Sequence, residues 1–196
     1  MRSLFSKAFI AFAGALAFCL GTCPAIAQDA ESMLKTAAQI DAGVTNALAT
    51  LYENDPITRV LAEKSVAVLI FPEIQKIETM TGERYGEGAL RLGDVTAGYY
   101  SAARQPSIWT QNDSPADFRT YGYAMYFLNQ AALDYLINND DWEVGVGPTI
   151  VGGGKGWCPC MGADNLSEDI AVVFFDQSGM VAGSGVKGSI ISRIER

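Results

Sequence analysis

The chain has 196 residues, a hydrophobic content of 49% and a formal net charge of −8, and it contains no histidine. The missing histidine excludes Ser-His and Cys-His nucleophile pairs and the usual histidine-containing zinc sites. Phosphate contacts need clustered Lys and Arg, and this acidic chain shows no basic stripe, so we do not expect it to bind nucleic acid.

The first 27 residues have the pattern of a secretory signal peptide. A basic start, MRSLFSK, is followed by an apolar run over 8–20 and an A-x-A site at 25–27, the order typical of such peptides. Cleavage after Ala27 would remove Arg2, Lys7 and no acid, so residues 28–196 would carry a net charge of −10. We expect a periplasmic or secreted single domain. The alternative is lipid anchoring through Cys23, which the preceding Thr22 disfavours.

Two helices are predicted at the start of this domain. Residues 28–54 carry apolar side chains at helical spacing, as at Ile40, Val44 and Leu48, which predicts an amphipathic helix. We interpret it as packed on the domain; the alternative is a helix that also lies on a membrane. Asp55 and Pro56 suit the start of a second helix that ends near residue 64, as N-cap and first helical residue.

The rest of the chain is dominated by predicted strands. The order of helices first and then mostly strands, with one inserted helix, predicts an α+β fold with an antiparallel sheet. The strands are VAVLIF at 66–71 ended by Pro72, a hairpin of 83–92 and 95–103 turned at Gly93-Asp94, 118–128, an alternating stretch at 142–151, a second hairpin of 170–175 and 180–186, and 190–194; the inserted helix is 129–137, capped by Asn129.

Cys158 and Cys160, in the glycine-rich stretch 152–168, are the two cysteines of the mature chain. In an oxidising compartment they predict a small local disulfide, and the alternatives are a redox pair or a soft-metal site with Met161. The nearby GGGKG at 152–156 has Gly156 where a phosphate-binding loop needs Ser or Thr, so we expect no nucleotide cofactor. Glu87, between two glycines, would need a partner if buried, and Arg84 or Arg91 could supply it.

An ordered series of motifs resembles the SYLF-domain family. The motifs are KSVAVLIFP (64–72), YGEGAL (85–90), AGYY (97–100), ALDYL (132–136), WEVGVG (142–147) and GMVAGSGVKGSII (179–191). The resemblance implies a non-enzymatic phospholipid-binding module without metal or cofactor, built on a strongly curled antiparallel sheet or partial barrel with helices at one side. It also implies phosphatidylinositol binding and, more remotely, actin as a protein partner.

Within that resemblance the glycines would serve sheet curvature, because a residue without a side chain allows tight bends and close backbone approach. They are Gly82, Gly86, Gly88, Gly98, Gly145, Gly147, Gly183 and Gly188. One departure is the stretch 105–117, which lacks the glycines that the family has after its GYY strand.

We expect lipid contacts from loop aromatics with basic residues near them, since amphipathic rings favour the water–lipid boundary. The candidates are Trp109, Trp157, Arg104 and Lys155. The alternative functions are an envelope structural or protein-interaction domain and, less favoured, a thiol redox or soft-metal protein centred on Cys158 and Cys160.

Overall fold

The computed structural model describes residues 34–76, 83–104, 120–153, 168–176, 186 and 188–196, with the backbone alone described for Lys76, Arg104, Gly152 and Gly153. The helices are α1 (Ala37–Asn54), α2 (Pro56–Lys64) and α3 (Gln130–Asn138). The strands are β1 (Ala67–Lys76), β2 (Arg84–Leu92), β3 (Val95–Arg104), β4 (Thr120–Phe127), β5 (Trp142–Glu143), β6 (Ile150–Gly153), β7 (Ile170–Phe175) and β8 (Ser189–Ile194). The described residues from Lys35 to Arg196 belong to one compact unit.

The N-terminal helices begin and end at capping residues. Thr36 accepts a hydrogen bond from the Gln39 amide, and the Gln39 side chain accepts one from the Thr36 amide, which completes a capping box. The prediction of a helix over all of 28–54 is therefore wrong for residues 34–36, which precede this cap. Asp55 caps α2 and Pro56 opens it, as predicted.

Within the described ranges, eight strands form one curled, half-barrel sheet in the order β5-β8-β3-β2-β1-β4-β7-β6. The α+β class and the curled sheet are confirmed. The prediction of a wholly antiparallel sheet is wrong at one edge, because β6 runs parallel to β7. The connection between these two strands, 154–167, lies outside the described residues.

The central strand β1 continues through Pro72, where the sequence had predicted its end. From Phe71 to Ile74 it advances three residues while β4 advances two, from Tyr123 to Tyr121. Against β2 it likewise advances five residues while β2 advances four. One extra residue on β1 faces both neighbours, so this is a β-bulge, which bends a strand and increases its twist. The missing N–H of Pro72 falls where the ladder is already interrupted.

Two glycines of β2 permit this bulge. A Cβ at Gly88 would lie 2.0 Å from the carbonyl oxygen of Ile70, and a Cβ at Gly86 would lie 2.4 Å from that of Glu73. The backbones of β1 and β2 approach too closely for any side chain at these two positions. At Gly86 and Gly88, glycine therefore has the role in sheet curvature that we expected.

The sheet buries a hydrophobic core on each face. We call one the α3 face, because Leu133 and Leu136 of α3 pack there against Leu69 and Leu90. The other is the α1 face, where Ile40, Val44 and Leu51 of α1 pack against Ile70 and Ala89. Successive residues of a strand alternate between the two faces, so the face of each position follows from its register.

The remaining strand predictions are mixed. The first hairpin, the strand entering α3, its Asn129 cap and the last strand are confirmed. The single strand predicted over 142–151 is wrong: a turn at 144–148 separates β5 from β6. Gly145 and Gly147 there have φ of 110° and 87°, a region open to glycine at little cost. Residues 180–185 of the predicted second hairpin lie outside the described residues, as do Gly82 and Gly183.

Candidate functional site

Several strands begin or end together at one end of the sheet. Lys76, the last residue of β1, pairs with Arg84, the first of β2, and Arg84 pairs with Arg104, the last of β3. Arg104 in turn pairs with Ser189, the first residue of β8. The pairings of β4, β7 and β6 place the first residue of β4 and the last residues of β7 and β6 at this same end of the sheet. We call it the basic end, after Lys76, Arg84 and Arg104.

These three basic residues occupy one register position on three adjacent strands. Neighbouring strands lie about 4.8 Å apart, so the row spans about 10 Å. Leu90 lies on the α3 face. Every second residue of a strand shares a face, so Arg84, six residues before Leu90 on β2, lies on the α3 face as well. Directly paired residues also share a face, so the whole row belongs to the α3 face. Glu83 precedes Arg84 at the alternate position. Like charges directly opposite each other are unfavourable in a sheet, so this alignment of three basic residue types marks a candidate site for an anion.

Aromatic rings lie directly inside the basic row on the same face. The guanidinium carbon of Arg84 lies 5.9 Å from the ring centroid of Tyr121, within cation–π range. Tyr121, Tyr123 and Phe174 form a cluster with centroid separations of 5.9 to 6.3 Å, and Phe71 lies 5.0 Å from Tyr123. Polarity thus changes along the face from a charged row to a phenol layer and then to the apolar core.

Tyr123 is the most deeply buried phenol of this cluster. Tyr123 is 1% exposed, and its hydroxyl has no hydrogen-bond partner among the residues that the structure describes. Burial, with a smaller contribution from the nearby Tyr121, raises the pKa of this hydroxyl well above its ordinary value. The phenol is therefore neutral and remains able to donate a hydrogen bond at every pH at which the protein would work.

On the α1 face, the buried carboxylate of Glu87 joins three parts of the chain. It accepts hydrogen bonds from the Lys35 amide at 3.0 Å and the Tyr85 hydroxyl at 2.8 Å, and it forms an ion pair with Arg196. Burial and the adjoining Glu87 raise the pKa of Tyr85 to about 12. The expectation that Arg84 or Arg91 pairs with Glu87 is wrong: β2 turns Arg84 to the other face, and Arg91 pairs with Asp41.

Asp41 connects α1 to the β2–β3 hairpin. Its carboxylate accepts hydrogen bonds from Thr96 at 2.7 Å and Tyr99 at 2.9 Å, and Arg91 lies 3.3 Å away. The Thr96 hydrogen bond, joined by Tyr99 and Arg91, lowers the pKa of Asp41 against the opposing effect of burial. These groups are engaged in fixing the helix to the sheet, which is a structural role.

The residues predicted to contact lipid fall unevenly on the described structure. Arg104 lies in the basic row, at the end of β3. Trp109, Lys155, Trp157, Cys158 and Cys160 lie outside the described residues. The chain leaves the described part toward Trp109 after Arg104, and toward Lys155 and Trp157 after Gly153, and both exits are at the basic end.

Sequence reasoning missed Lys76 and Arg84 as partners of Arg104. In a regular hairpin that starts from the Leu92–Val95 pair, each step back along β2 matches one step forward along β3, which would place Arg84 opposite Ala103. A register shift between Leu90 and Arg91 moves the pairing by one residue and brings Arg84 opposite Arg104. The cluster was therefore accessible from sequence only with knowledge of that irregularity.

Other kinds of site find less support in the described ranges. No group of three acidic or cysteine side chains there could hold a metal ion, and no described helix is long and apolar enough to cross a membrane. A shallow depression of about 510 Å³ is lined by Ile137, Asp140, Asp141, Ser192, Arg193 and Glu195. It is open and carries charges of both signs.

A scan against protein-family models gives no match for this chain. A search of curated proteins gives no significant match either.

Proposed function

We propose that this protein is an exported, non-enzymatic phospholipid-binding module whose basic end receives the anionic headgroup. The observation that carries the proposal is the alignment of Lys76, Arg84 and Arg104 at one register position on three adjacent strands. The motif series that resembles the SYLF-domain family supports the same conclusion from the sequence.

The surrounding charge makes this row distinctive. The chain has 14 basic and 22 acidic residues, yet three of the basic ones meet at a single position on the sheet. Two other arginines of the described residues form ion pairs within the fold, Arg91 with Asp41 and Arg196 with Glu87. A local cationic site on an acidic protein favours one anionic ligand group at close range, because charge interactions are screened beyond about 8 Å at physiological ionic strength.

The aromatic layer suits the rest of an amphiphilic ligand. Tyr121 lies against Arg84, and Phe174 is the most exposed ring of the four-membered cluster. Tyrosine rings favour the boundary between a wet headgroup region and apolar chains. A phospholipid with its phosphate at the basic row would place its less polar part toward these rings.

The test is co-flotation with vesicles of phosphatidylglycerol in phosphatidylcholine, against phosphatidylcholine alone. We expect binding to the anionic vesicles, and about fivefold weaker binding for Arg84→Gln, since each basic residue near an anionic surface contributes about 1 kcal/mol. Arg193→Gln is the matched control: it changes the net charge equally, but Arg193 pairs with Tyr100, away from the basic row. Absence of binding by the parent protein, or equal weakening by both variants, would refute the proposal.

A further inference from the structure

We propose that the hydroxyl of Tyr123 donates a hydrogen bond to an uncharged carbonyl oxygen of the ligand, the ester carbonyl of a phospholipid, and so discriminates diester from diether lipids. This inference rests on the proposed function and adds a specificity-determining residue to its site. It concerns the linker between headgroup and chains, which the basic row does not contact.

The unpaired hydroxyl of Tyr123 destabilises the folded protein. A buried hydroxyl without a partner costs about 1–3 kcal/mol relative to one that is paired, and each such group in a folded protein calls for an explanation. The neighbouring Phe71 and Phe174 have rings without a hydroxyl, so this cluster accommodates phenylalanine. A phenylalanine at residue 123 would remove this free-energy penalty. A hydrogen bond from the hydroxyl to an acceptor on the ligand would remove it only in the complex, and would so favour binding.

Tyr123 lies deeper than Tyr121 on the same face of the sheet. Ile74 pairs with Tyr121 and Phe71 pairs with Tyr123, so Tyr123 lies one strand repeat further from the basic row than Tyr121. Two residues of a strand span about 7 Å. In a phospholipid the ester carbonyls follow the phosphate in the same direction, before the acyl chains begin. Lys76 lies two residues beyond Ile74, so the backbone of Tyr123 lies about 13 Å from the row along the strands. The Arg84 guanidinium reaches the Tyr121 ring, whose centroid lies 6.3 Å from that of Tyr123. A phosphate held by Arg84 would therefore place its ester carbonyls toward Tyr123.

Phe174 is the most exposed ring of the cluster around Tyr123. Phe71, Tyr121 and Tyr123 are 0%, 4% and 1% exposed, whereas Phe174 is only half-buried. The Phe174 ring lies 5.9 Å from that of Tyr123 and 6.0 Å from that of Tyr121. The proposal therefore requires the Phe174 side chain to rotate when the ligand enters.

Strand β4 supplies a matched control. Tyr126 is also buried, and its hydroxyl approaches Thr58 without reaching hydrogen-bond geometry. It packs in the core of the α1 face, on the opposite side of the sheet from Tyr123. Tyr126→Phe therefore removes the same atom from the same strand without touching the α3 face.

The experiment measures calorimetric affinities for dihexanoyl phosphatidylglycerol and for its dihexyl ether analogue, both kept monomeric. We expect the parent and Tyr126→Phe to prefer the diester by about threefold to tenfold, the value of one net hydrogen bond. Tyr123→Phe should bind the two lipids equally and unfold at a temperature no lower than that of the parent.

The outcomes separate the two proposals. If the parent binds and Arg84→Gln weakens binding, but Tyr123→Phe keeps the diester preference, the role of Tyr123 is overturned and the proposed function stands. If the parent shows no diester preference, the carbonyl contact is likewise overturned. If the parent binds neither lipid and does not float with anionic vesicles, both proposals fail.

Discussion

Replacing Arg196 by alanine tests how the fold neutralises its buried carboxylate. The side chain of Glu87 is 1% exposed and that of Arg196 is 18% exposed. Removing one partner of a buried ion pair costs about 3–5 kcal/mol, because the remaining charge is left uncompensated. Glu87 would keep its hydrogen bonds from Tyr85 and the Lys35 amide, so we expect a loss near the lower limit, about 3 kcal/mol.

Thermal and urea unfolding at neutral pH measure this loss. For a domain of this size about 1 kcal/mol corresponds to 2–4 °C, so the melting temperature should fall by about 6–12 °C. The double variant Glu87→Gln/Arg196→Ala is the control: without the carboxylate the penalty disappears, and much of the lost stability should return. A single variant within about 0.5 kcal/mol of the parent, the range of ordinary surface substitutions, would refute this account of Glu87.

Two further predictions concern the central sheet and the attachment of α1. Gly88→Val should lower the melting temperature markedly in a thermal scan, because its Cβ would meet the Ile70 carbonyl at 2.0 Å. Gly98→Ala is the control and should change the melting temperature little, because a Cβ there has no neighbour closer than 3.4 Å. Equal effects of the two substitutions would contradict the close approach of the β1 and β2 backbones as the cause. Asp41 has a pKa below its ordinary value of 3.8, so its stabilising contribution is complete above that value and is lost as the pH falls through the lowered pKa. Asp41→Asn should therefore flatten the acid decline of stability below about pH 4 in urea titrations, and an unchanged acid slope would contradict this.

Local signals in the sequence predicted much of the fold. The Asn129 cap, the Asp55-Pro56 helix start and the Gly93-Asp94 turn each depend on contacts within a few residues. Such contacts are encoded in adjacent letters, so the elements next to them were predicted within a few residues of their observed bounds.

Errors arose where distant contacts override local preference. Pro72 is a strand terminator by local rules, but it falls inside β1 because glycines of β2 let the two backbones approach. The alternating pattern over 142–151 resembles one strand, yet Trp142 donates a hydrogen bond to the Val146 carbonyl across a turn. The parallel pairing of β6 with β7 and the partnership of Glu87 with Arg196 join residues far apart in sequence. No local pattern encodes them.

The candidate site illustrates the same division. Arg104 was selected from sequence as a basic residue near a loop tryptophan, whereas its row depends on the register of three strands. Lys76 reaches that row because the bulge at Pro72 adds one residue to β1; without the extra residue, alternation would assign Lys76 to the α1 face. The irregularity that curls the sheet is thus also what completes the cationic row. Fold and proposed binding site are linked through Gly86 and Gly88, which admit the bulge.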